Sequence, residues 1–194
     1  MNIFFVGDEL VAGRGDPKAL GWAGRVAART TTEGVDTTFH VLGVPGETLI
    51  EMSARWEEEV VRRVRTREAN AIVFAAGRAD VRQKSSTAMI RLSLATALDN
   101  ARGMGFKSML VGPPPGAPHE NDAIAELSAV CEDAASRRGV PFVDTFTPLV
   151  THEHWLTDMA TSVESLPGPA GYGLIAWLVL HAKWREWLGL PAET

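Results

Sequence analysis

The stretch Ile3-Phe4-Phe5-Val6-Gly7-Asp8-Glu9-Leu10 decides the fold. Its four leading apolar residues predict a short strand that is buried on both faces, as strands of a helix-covered parallel sheet are. The glycine and the two acids that follow end the strand, which places Asp8 and Glu9 at its carboxyl end. In open parallel sheets ligands bind at that edge, so we expect any site to lie there.

Four further strand patterns alternate with helical patterns along the chain. The strand patterns cover residues 37–42, 71–76, 108–111 and 141–143. The helical patterns cover residues 20–31, 47–65, 89–104 and 121–138, with a last helix from about 169 to 188. Strands that alternate with long helices predict an α/β fold, with a parallel five-stranded sheet and helices on both of its faces.

Length and composition predict one globular domain over residues 1–194. The chain is 45% hydrophobic and 22% charged, with a net charge of −5. We expect no nucleic-acid partner, because the basic residues form no clustered patch. No apolar run approaches the roughly 20 residues of a membrane span, and the N-terminus has no signal-peptide pattern. We therefore expect a cytoplasmic protein without a membrane partner.

Five loop sequences, in chain order, resemble the motif blocks of the SGNH hydrolases, also called the GDSL esterase/lipase family. They are Gly7-Asp8-Glu9-Leu10, Gly43-Val44-Pro45-Gly46, Gly77-Arg78-Ala79-Asp80, Gly112-Pro113-Pro114-Pro115 and Pro167-Gly168-Pro169-Ala170-Gly171-Tyr172. The similarity runs from Ile3 to about Leu188. It implies a flavodoxin-like three-layer α/β/α sandwich. It also implies a mechanism in which a serine attacks a carbonyl, a histidine takes its proton and an aspartate orients the histidine.

The resemblance assigns five chemical positions, and four of them hold residues that cannot do the family's chemistry. Glu9 stands in place of the nucleophilic serine, and Ala79 in place of an asparagine that donates to the oxyanion. Counted back from the last block, the histidine falls on Leu166 and the aspartate on Val163. Only the glycine whose amide binds the oxyanion is kept, as Gly46.

These replacements predict a pseudoenzyme that binds a small molecule or a protein partner. Loss of a triad residue costs orders of magnitude in rate, and a carboxylate at Glu9 repels the charge that develops on an oxyanion. The alternative is a hydrolase of ester or related bonds with a site rebuilt around Glu9 and His119, since a carboxylate–histidine pair suits general base catalysis. A purely structural assembly subunit is a third hypothesis.

Polar groups at the strand ends are the candidate ligand contacts: Asp8, Glu9, Gly46, Arg78 and His119. One hypothesis pairs Glu9 with Arg78 or Arg14, because an unpaired carboxylate in a confined pocket is costly. The functional alternative has Arg78 and the Gly46 amide bind an anionic ligand, whose polar group Glu9 contacts. Asp80 belongs to the same rim.

The cysteine and histidine patterns predict no cofactor, disulfide or metal site. Cys131 is the only cysteine, and its place in a helical pattern indicates a buried apolar role. His152 and His154 lie two residues apart, but Glu153 is the only carboxylate beside them.

The last predicted helix carries a stripe of large apolar residues: Trp177, Leu180, Trp184 and Leu188. Core packing is the default for such a stripe. Trp187 adds aromatic surface beyond one face, so a homo-oligomer contact through this helix is a second hypothesis.

Overall fold

The computed structural model describes residues 1–30, 35–64, 69–162 and 164–190. Its centre is a parallel sheet of five strands in the order β2-β1-β3-β4-β5. The strands are β1 (Asn2–Gly7), β2 (Thr38–Gly43), β3 (Asn70–Ala75), β4 (Lys107–Val111) and β5 (Phe142–Val143). Each predicted strand lies within one residue of the observed one at both ends. The order confirms the predicted flavodoxin-like sheet, whose topological switch lies between β1 and β3.

Eight helices accompany the strands in the described residues. They are α1 (Gly21–Arg29), α2 (Leu49–Val61), α3 (Ala79–Arg82), α4 (Thr87–Gly103), α5 (Asn121–Ser136), α6 (Glu153–Ala160), α7 (Pro169–His181) and α8 (Trp184–Leu188). A 3₁₀ turn, Pro118–Glu120, precedes α5. The short helices α3 and α6 fall where no helix was predicted. Both lie in connections after strands, and α3 begins within the third motif block.

The core lies in two layers, one on each face of the sheet. Successive strand residues point to opposite faces, so Phe5 joins the layer of α1 and α7 whereas Phe4 joins that of α2, α4 and α5. Trp22, Trp184 and Tyr172 are fully or nearly fully buried in the first layer. The second layer contains Cys131, whose predicted buried role is confirmed.

The last helix was predicted to be continuous, and this was wrong. Lys183 adopts a left-handed conformation with φ of 56°, and it separates α7 from α8. The break accompanies the burial of Trp184, whose ring stacks on Phe5 with centroids 5.9 Å apart. Its indole N–H donates to Thr30 Oγ1 at 2.9 Å. Of the predicted stripe, Trp177 is therefore the aromatic residue left at the surface, 51% exposed.

Helix α2 begins with a capping box that holds the preceding loop in place. The Glu51 N–H donates to Thr48 Oγ1 at 3.2 Å, and the Thr48 N–H donates to Glu51 Oε2 at 2.9 Å. The reciprocal bonds satisfy two amides that a helix start leaves without partners. Within the described ranges, no helix has the length and apolarity needed to cross a membrane.

Candidate functional site

The Glu9 carboxylate lies at the carboxyl end of β1 and binds a backbone amide. Glu9 is 6% exposed, and its Oε2 accepts a hydrogen bond of 2.7 Å from the Gly46 N–H. Gly46 lies between β2 and α2 with φ of 77°, a conformation that glycine adopts without steric cost. The acid of the first loop thus occupies the amide donor of the second.

Close backbone packing brings these two loops together. The Val44 N–H donates to Gly7 O at 2.8 Å, which continues the β1–β2 pairing beyond the strands. A Cβ on Gly43 would lie 2.5 Å from Ala12 N and 2.7 Å from Asp8 O, nearer than any real Cβ contact. Only glycine therefore permits this approach at position 43.

Arg55 of α2 reinforces the same junction from behind. Its guanidinium pairs with Glu47, with an Nη2–Oε2 distance of 2.6 Å, and with Glu59 at 2.7 Å. The Nη2 group also donates to Leu42 O at 3.0 Å and to Gly7 O at 3.3 Å. Glu47 is buried, which raises its pKa, whereas the bonds from Arg55 act in the opposite direction. The loop that carries Gly46 is thus held by charged side chains inside the fold.

Asp8 is buried beside Glu9 and has one oxygen without a partner. Its Oδ1 accepts from the Leu10 N–H at 2.9 Å, whereas Oδ2 has no hydrogen-bond partner among the described residues. Gly77 leaves room for this carboxyl group, because a Cβ there would lie 1.7 Å from Oδ2. Burial, together with the charge of Glu9, raises the pKa of Asp8 to about 7. Asp8 can therefore hold a proton near neutral pH.

Arg78 is completely buried and does not pair with Glu9. Its Nη2 donates to Ser165 O at 2.6 Å, whereas Nε and Nη1 have no partner among the described residues. Burial, and then the charge of Arg82, lowers the pKa of Arg78. A Cβ on Gly116 would lie 3.2 Å from the Arg78 Cδ, so the Arg78 side chain runs beneath the loop after β4.

The proposed ion pair of Glu9 with Arg78 or Arg14 is therefore not formed in the described structure. Arg14 instead pairs with Glu164 at 2.8 Å, and both side chains are more than half exposed. Glu9 finds a backbone amide as its partner, and this satisfies one carboxylate oxygen without a cation.

His119 is not bonded to Glu9 in the described residues. It is exposed in the 3₁₀ turn, and no hydrogen bond or ion pair joins it to Glu9 in the described part of the chain. Its neighbour Glu120 instead pairs with Arg82 at 2.8 Å, which links the loops after β4 and β3. Glu120, rather than His119, thus carries the ionic contact of this loop.

The buried Asp80 carboxylate positions the start of α2 and does not face solvent. Its Oδ2 accepts from the Leu49 N–H at 2.8 Å, the first amide of α2, and burial raises its pKa. Asp80 is 2% exposed, so it ties α3 to the start of α2 rather than facing solvent.

A cleft of about 480 Å³ lies beside the loop that follows Glu9. One wall is Arg14, Gly15 and Pro17, and the other runs from Asp158 to Pro169. Asp158 fixes the second wall, because its Oδ2 accepts from the Gly168 and Gly171 N–H groups at 2.6 and 2.7 Å. Sequence reasoning missed Asp158, since the helix that carries it was not predicted.

The described residues contain no group of three or more His, Cys, Asp or Glu side chains placed to hold a metal ion. The rings of His152 and His154 have centroids 5.7 Å apart.

Comparison with known proteins shows which family this architecture belongs to. The model of the GDSL-like lipase/acylhydrolase family matches residues 5–174. The chain belongs to this family. No curated protein matches the sequence significantly.

Solved structures of the GDSL-like type share the fold over almost the whole chain. A lipase/acylhydrolase from Enterococcus faecalis has a TM-score of 0.77 at 19% identity, with 100% of this chain and 98% of that one covered. A catalytic mutant of an acetylxylan esterase from Geobacillus stearothermophilus has a TM-score of 0.77 at 17% identity, with coverage of 99% and 97%. A lipolytic protein described as G-D-S-L family from Desulfitobacterium hafniense has 0.75 at 14%, with coverage of 93% and 98%. At these identities the likeness shows the fold alone.

Of the other positions that the resemblance assigns, two are buried and one lies outside the described residues. Ala79 is the first residue of α3 and is 7% exposed, with a methyl side chain that cannot donate a hydrogen bond. Leu166 is 8% exposed and packs over Gly15, whose Cβ would lie 3.2 Å from the Leu166 Cβ. Val163 lies outside the described residues. The last block does reach the loop that follows the first, because the Tyr172 hydroxyl donates to Arg14 O at 2.6 Å.

Proposed function

We propose that this GDSL-family protein is a pseudoenzyme, which binds a ligand or a protein partner and does not hydrolyse esters by the serine mechanism. The observation that carries the proposal is the 2.7 Å hydrogen bond from the Gly46 N–H to Glu9 Oε2. In the family resemblance this amide is one that binds the oxyanion, and here it already binds an anion of the protein itself.

Electrostatics support the loss of acyl transfer. An oxyanion hole works because its donors are preorganised and free for the charge that develops in the transition state. Here a substrate oxygen would have to displace the Glu9 carboxylate and then develop negative charge beside it. Loss of a single oxyanion donor costs roughly 10²–10³-fold in rate, and the methyl group of Ala79 removes a second donor.

The missing proton acceptor supports the same conclusion. The histidine position holds Leu166, which is buried and hydrocarbon. The alternative function, a hydrolase rebuilt around Glu9 and His119, needs contact between the two side chains, and the described hydrogen bonds and ion pairs contain none. Asp8, with a pKa of about 7, could carry a proton, but it has no hydroxyl partner.

The binding part of the proposal is supported by the cleft beside Arg14 and Leu166. Its volume of about 480 Å³ falls within the range of small-molecule sites, roughly 300–1,000 Å³. Hydroxyl groups of Thr161 and Ser162 line it together with apolar Pro17 and Leu166. Charged Arg14, Asp158 and Glu164 also line it, so a small molecule with both polar and apolar groups suits this lining.

The test is an ester hydrolysis assay with p-nitrophenyl acetate and p-nitrophenyl butyrate. We expect the wild-type protein to release no p-nitrophenol above the buffer rate. Hydrolysis that is present in the wild type and absent in Glu9→Ala would contradict the proposal and favour the rebuilt hydrolase.

A second arm restores the family residues. The variant Glu9→Ser, Ala79→Asn, Val163→Asp, Leu166→His is expected to gain activity, because it recreates the nucleophile, the donor and the proton acceptor on the same scaffold. The matched control carries the last three changes and keeps Glu9. Equal activity in the two variants would show that position 9 does not decide the chemistry.

A further inference from the structure

A second cavity lies at the amino end of the sheet, on the opposite edge from Glu9. Its volume is about 330 Å³. It is formed where β4 and β5 begin and where α8 crosses them. We call it the basic cavity and define it by Arg102, Lys107, Ser108, Arg138 and Trp187. None of these residues belongs to the five motif blocks.

The cavity concentrates positive charge in a protein whose net charge is −5. Its lining contains three cations and no carboxylate. Arg138 is neutralised by Asp99, through two bonds of 3.0 Å. Arg102 donates to a backbone carbonyl, that of Arg138, and Lys107 donates to Leu188 O at 3.2 Å. In the described residues neither of these two cations has a carboxylate within 4 Å.

The uncharged part of the lining favours a flat apolar group. Trp187 is held in place by its indole N–H, which donates to Ser108 O at 3.1 Å. Phe106 and Leu98 contribute further apolar surface. The hydroxyl of Ser108 is buried and has no hydrogen-bond partner among the described residues.

From these features we infer that the basic cavity binds a small organic anion. Its carboxylate or phosphate group contacts Arg102 and Lys107, and its planar apolar part packs against Trp187. Charge-assisted bonds from arginine and lysine are the usual means of holding such groups. The volume lies at the lower end of the range for small-molecule sites, so the ligand is small. Two unpaired cations are too few for a nucleic-acid backbone.

The inference is independent of the proposed function, because the two sites share no residue. It is tested by titrating the full-length protein with phenyl phosphate, followed by calorimetry and by tryptophan fluorescence. Benzyl alcohol supplies the ring without the charge, and inorganic phosphate supplies the charge without the ring. We expect saturable binding of phenyl phosphate, and weaker or undetectable binding of the two comparison compounds.

The variants Arg102→Gln and Lys107→Gln are each expected to weaken phenyl phosphate binding about tenfold, the effect of one charge-assisted contact. Arg62→Gln is the matched control, since it removes the same charge from an exposed position at the end of α2. Trp187→Phe is expected to reduce the fluorescence response. Glu9→Ala is expected to bind as the wild type does, which separates this site from the one at the other edge.

Three results would overturn the inference. They are no saturation by phenyl phosphate at millimolar concentration, equal affinity for inorganic phosphate and phenyl phosphate, and an equal loss of affinity in Arg62→Gln and Arg102→Gln. Arg102 is exposed, so the Arg102→Gln variant is expected to fold even if Lys107→Gln does not.

Discussion

At the carboxyl edge of the sheet the charged groups of the first and third motif blocks lie inside the fold, whereas at the amino edge Arg102 and Lys107 lie at the surface. At the carboxyl edge Asp8, Glu9 and Arg78 are each less than one-tenth exposed. At the amino edge Arg102 and Lys107 are exposed and reach backbone carbonyls. A buried charge must find its partner within the protein, and an exposed one is free to bind something else. The comparison shows that charged residues at one edge of the sheet do not by themselves make that edge a binding site.

The largest effect is expected from breaking a buried charge network at the carboxyl edge. Arg55→Gln leaves the Glu47 carboxylate, whose side chain is 3% exposed, without its cation. We expect a loss of about 3 kcal/mol in the free energy of unfolding, as for other buried pairs that lose one partner. Urea denaturation measures it.

The control for this change is Arg102→Gln at the amino edge, expected to stay within about 0.5 kcal/mol of the wild type. Equal losses in the two variants would contradict the contrast between the edges.

The next effect is expected from the close approach of the two loops at the carboxyl edge. Gly43→Ala places a methyl group 2.5 Å from Ala12 N. The backbone must move to make room for this methyl group. We expect a loss of about 2 to 3 kcal/mol in the free energy of unfolding.

Gly173→Ala in α7 is the matched control, because nothing lies within 4 Å of its Cβ. It should stabilise the protein by about 0.5–1 kcal/mol. Thermal denaturation followed by circular dichroism compares the two variants. A Gly43→Ala protein as stable as the wild type would show that the two loops are not closely packed at this position.

A pH-dependent effect is expected from Asp8. Its pKa rises from the ordinary 3.8 to about 7 on folding, so the folded protein holds the proton more tightly than the unfolded chain. The stability that this proton confers is therefore present below pH 4 and is lost as the pH rises to about 7. Relative to Asp8→Asn, the wild type should lose on the order of 3 kcal/mol of unfolding free energy across that range.

The measurement is urea denaturation of both proteins between pH 4 and 8. Taking the difference between the two removes the contributions of Glu47 and Asp80, whose pKa values are also raised. If the stability of the wild type relative to Asp8→Asn instead rises with pH, or stays constant, the Asp8 carboxyl group is charged in the fold.

The smallest effect is expected from the cap of α2. Thr48→Ala removes the side-chain acceptor of the Glu51 N–H, which should cost about 1 kcal/mol of unfolding free energy. Thr96→Ala, at an exposed position within α4, should change it by no more than a few tenths of a kcal/mol. Thermal denaturation ranks the two, and the prediction fails if the Thr96 variant is the less stable one.

The sheet and its long helices could be predicted because their signals are local. An apolar run such as Ile3–Phe4–Phe5–Val6 specifies a buried strand by itself, and all five strands lie within one residue of their predicted bounds. Short helices such as α3 and α6 contain too few turns to show a period. The break at Lys183 has no glycine or proline to mark it.

The contacts of the site were less predictable, because its charged side chains Glu9 and Arg78 bond to backbone groups. Charge alone predicted that Glu9 would pair with an arginine, yet its partner is the Gly46 amide, a donor that every residue except proline has. Arg78 likewise donates to the carbonyl of Ser165, 87 residues away along the chain. The basic cavity joins residues from 98 to 187, and nothing in the local sequence shows that these positions meet.

The contact of Trp184 with Phe5 has a consequence for synthesis of the chain. The ring that covers this face of β1 lies 179 residues further along the chain than Phe5. During translation Phe5 leaves the ribosome long before Trp184, and this part of its cover arrives only once residue 184 has emerged. Until then Phe5 lacks this aromatic cover, and exposed apolar surface is where nascent chains aggregate or bind chaperones. Packing on this face of β1 is therefore completed only after residue 184 has been synthesised.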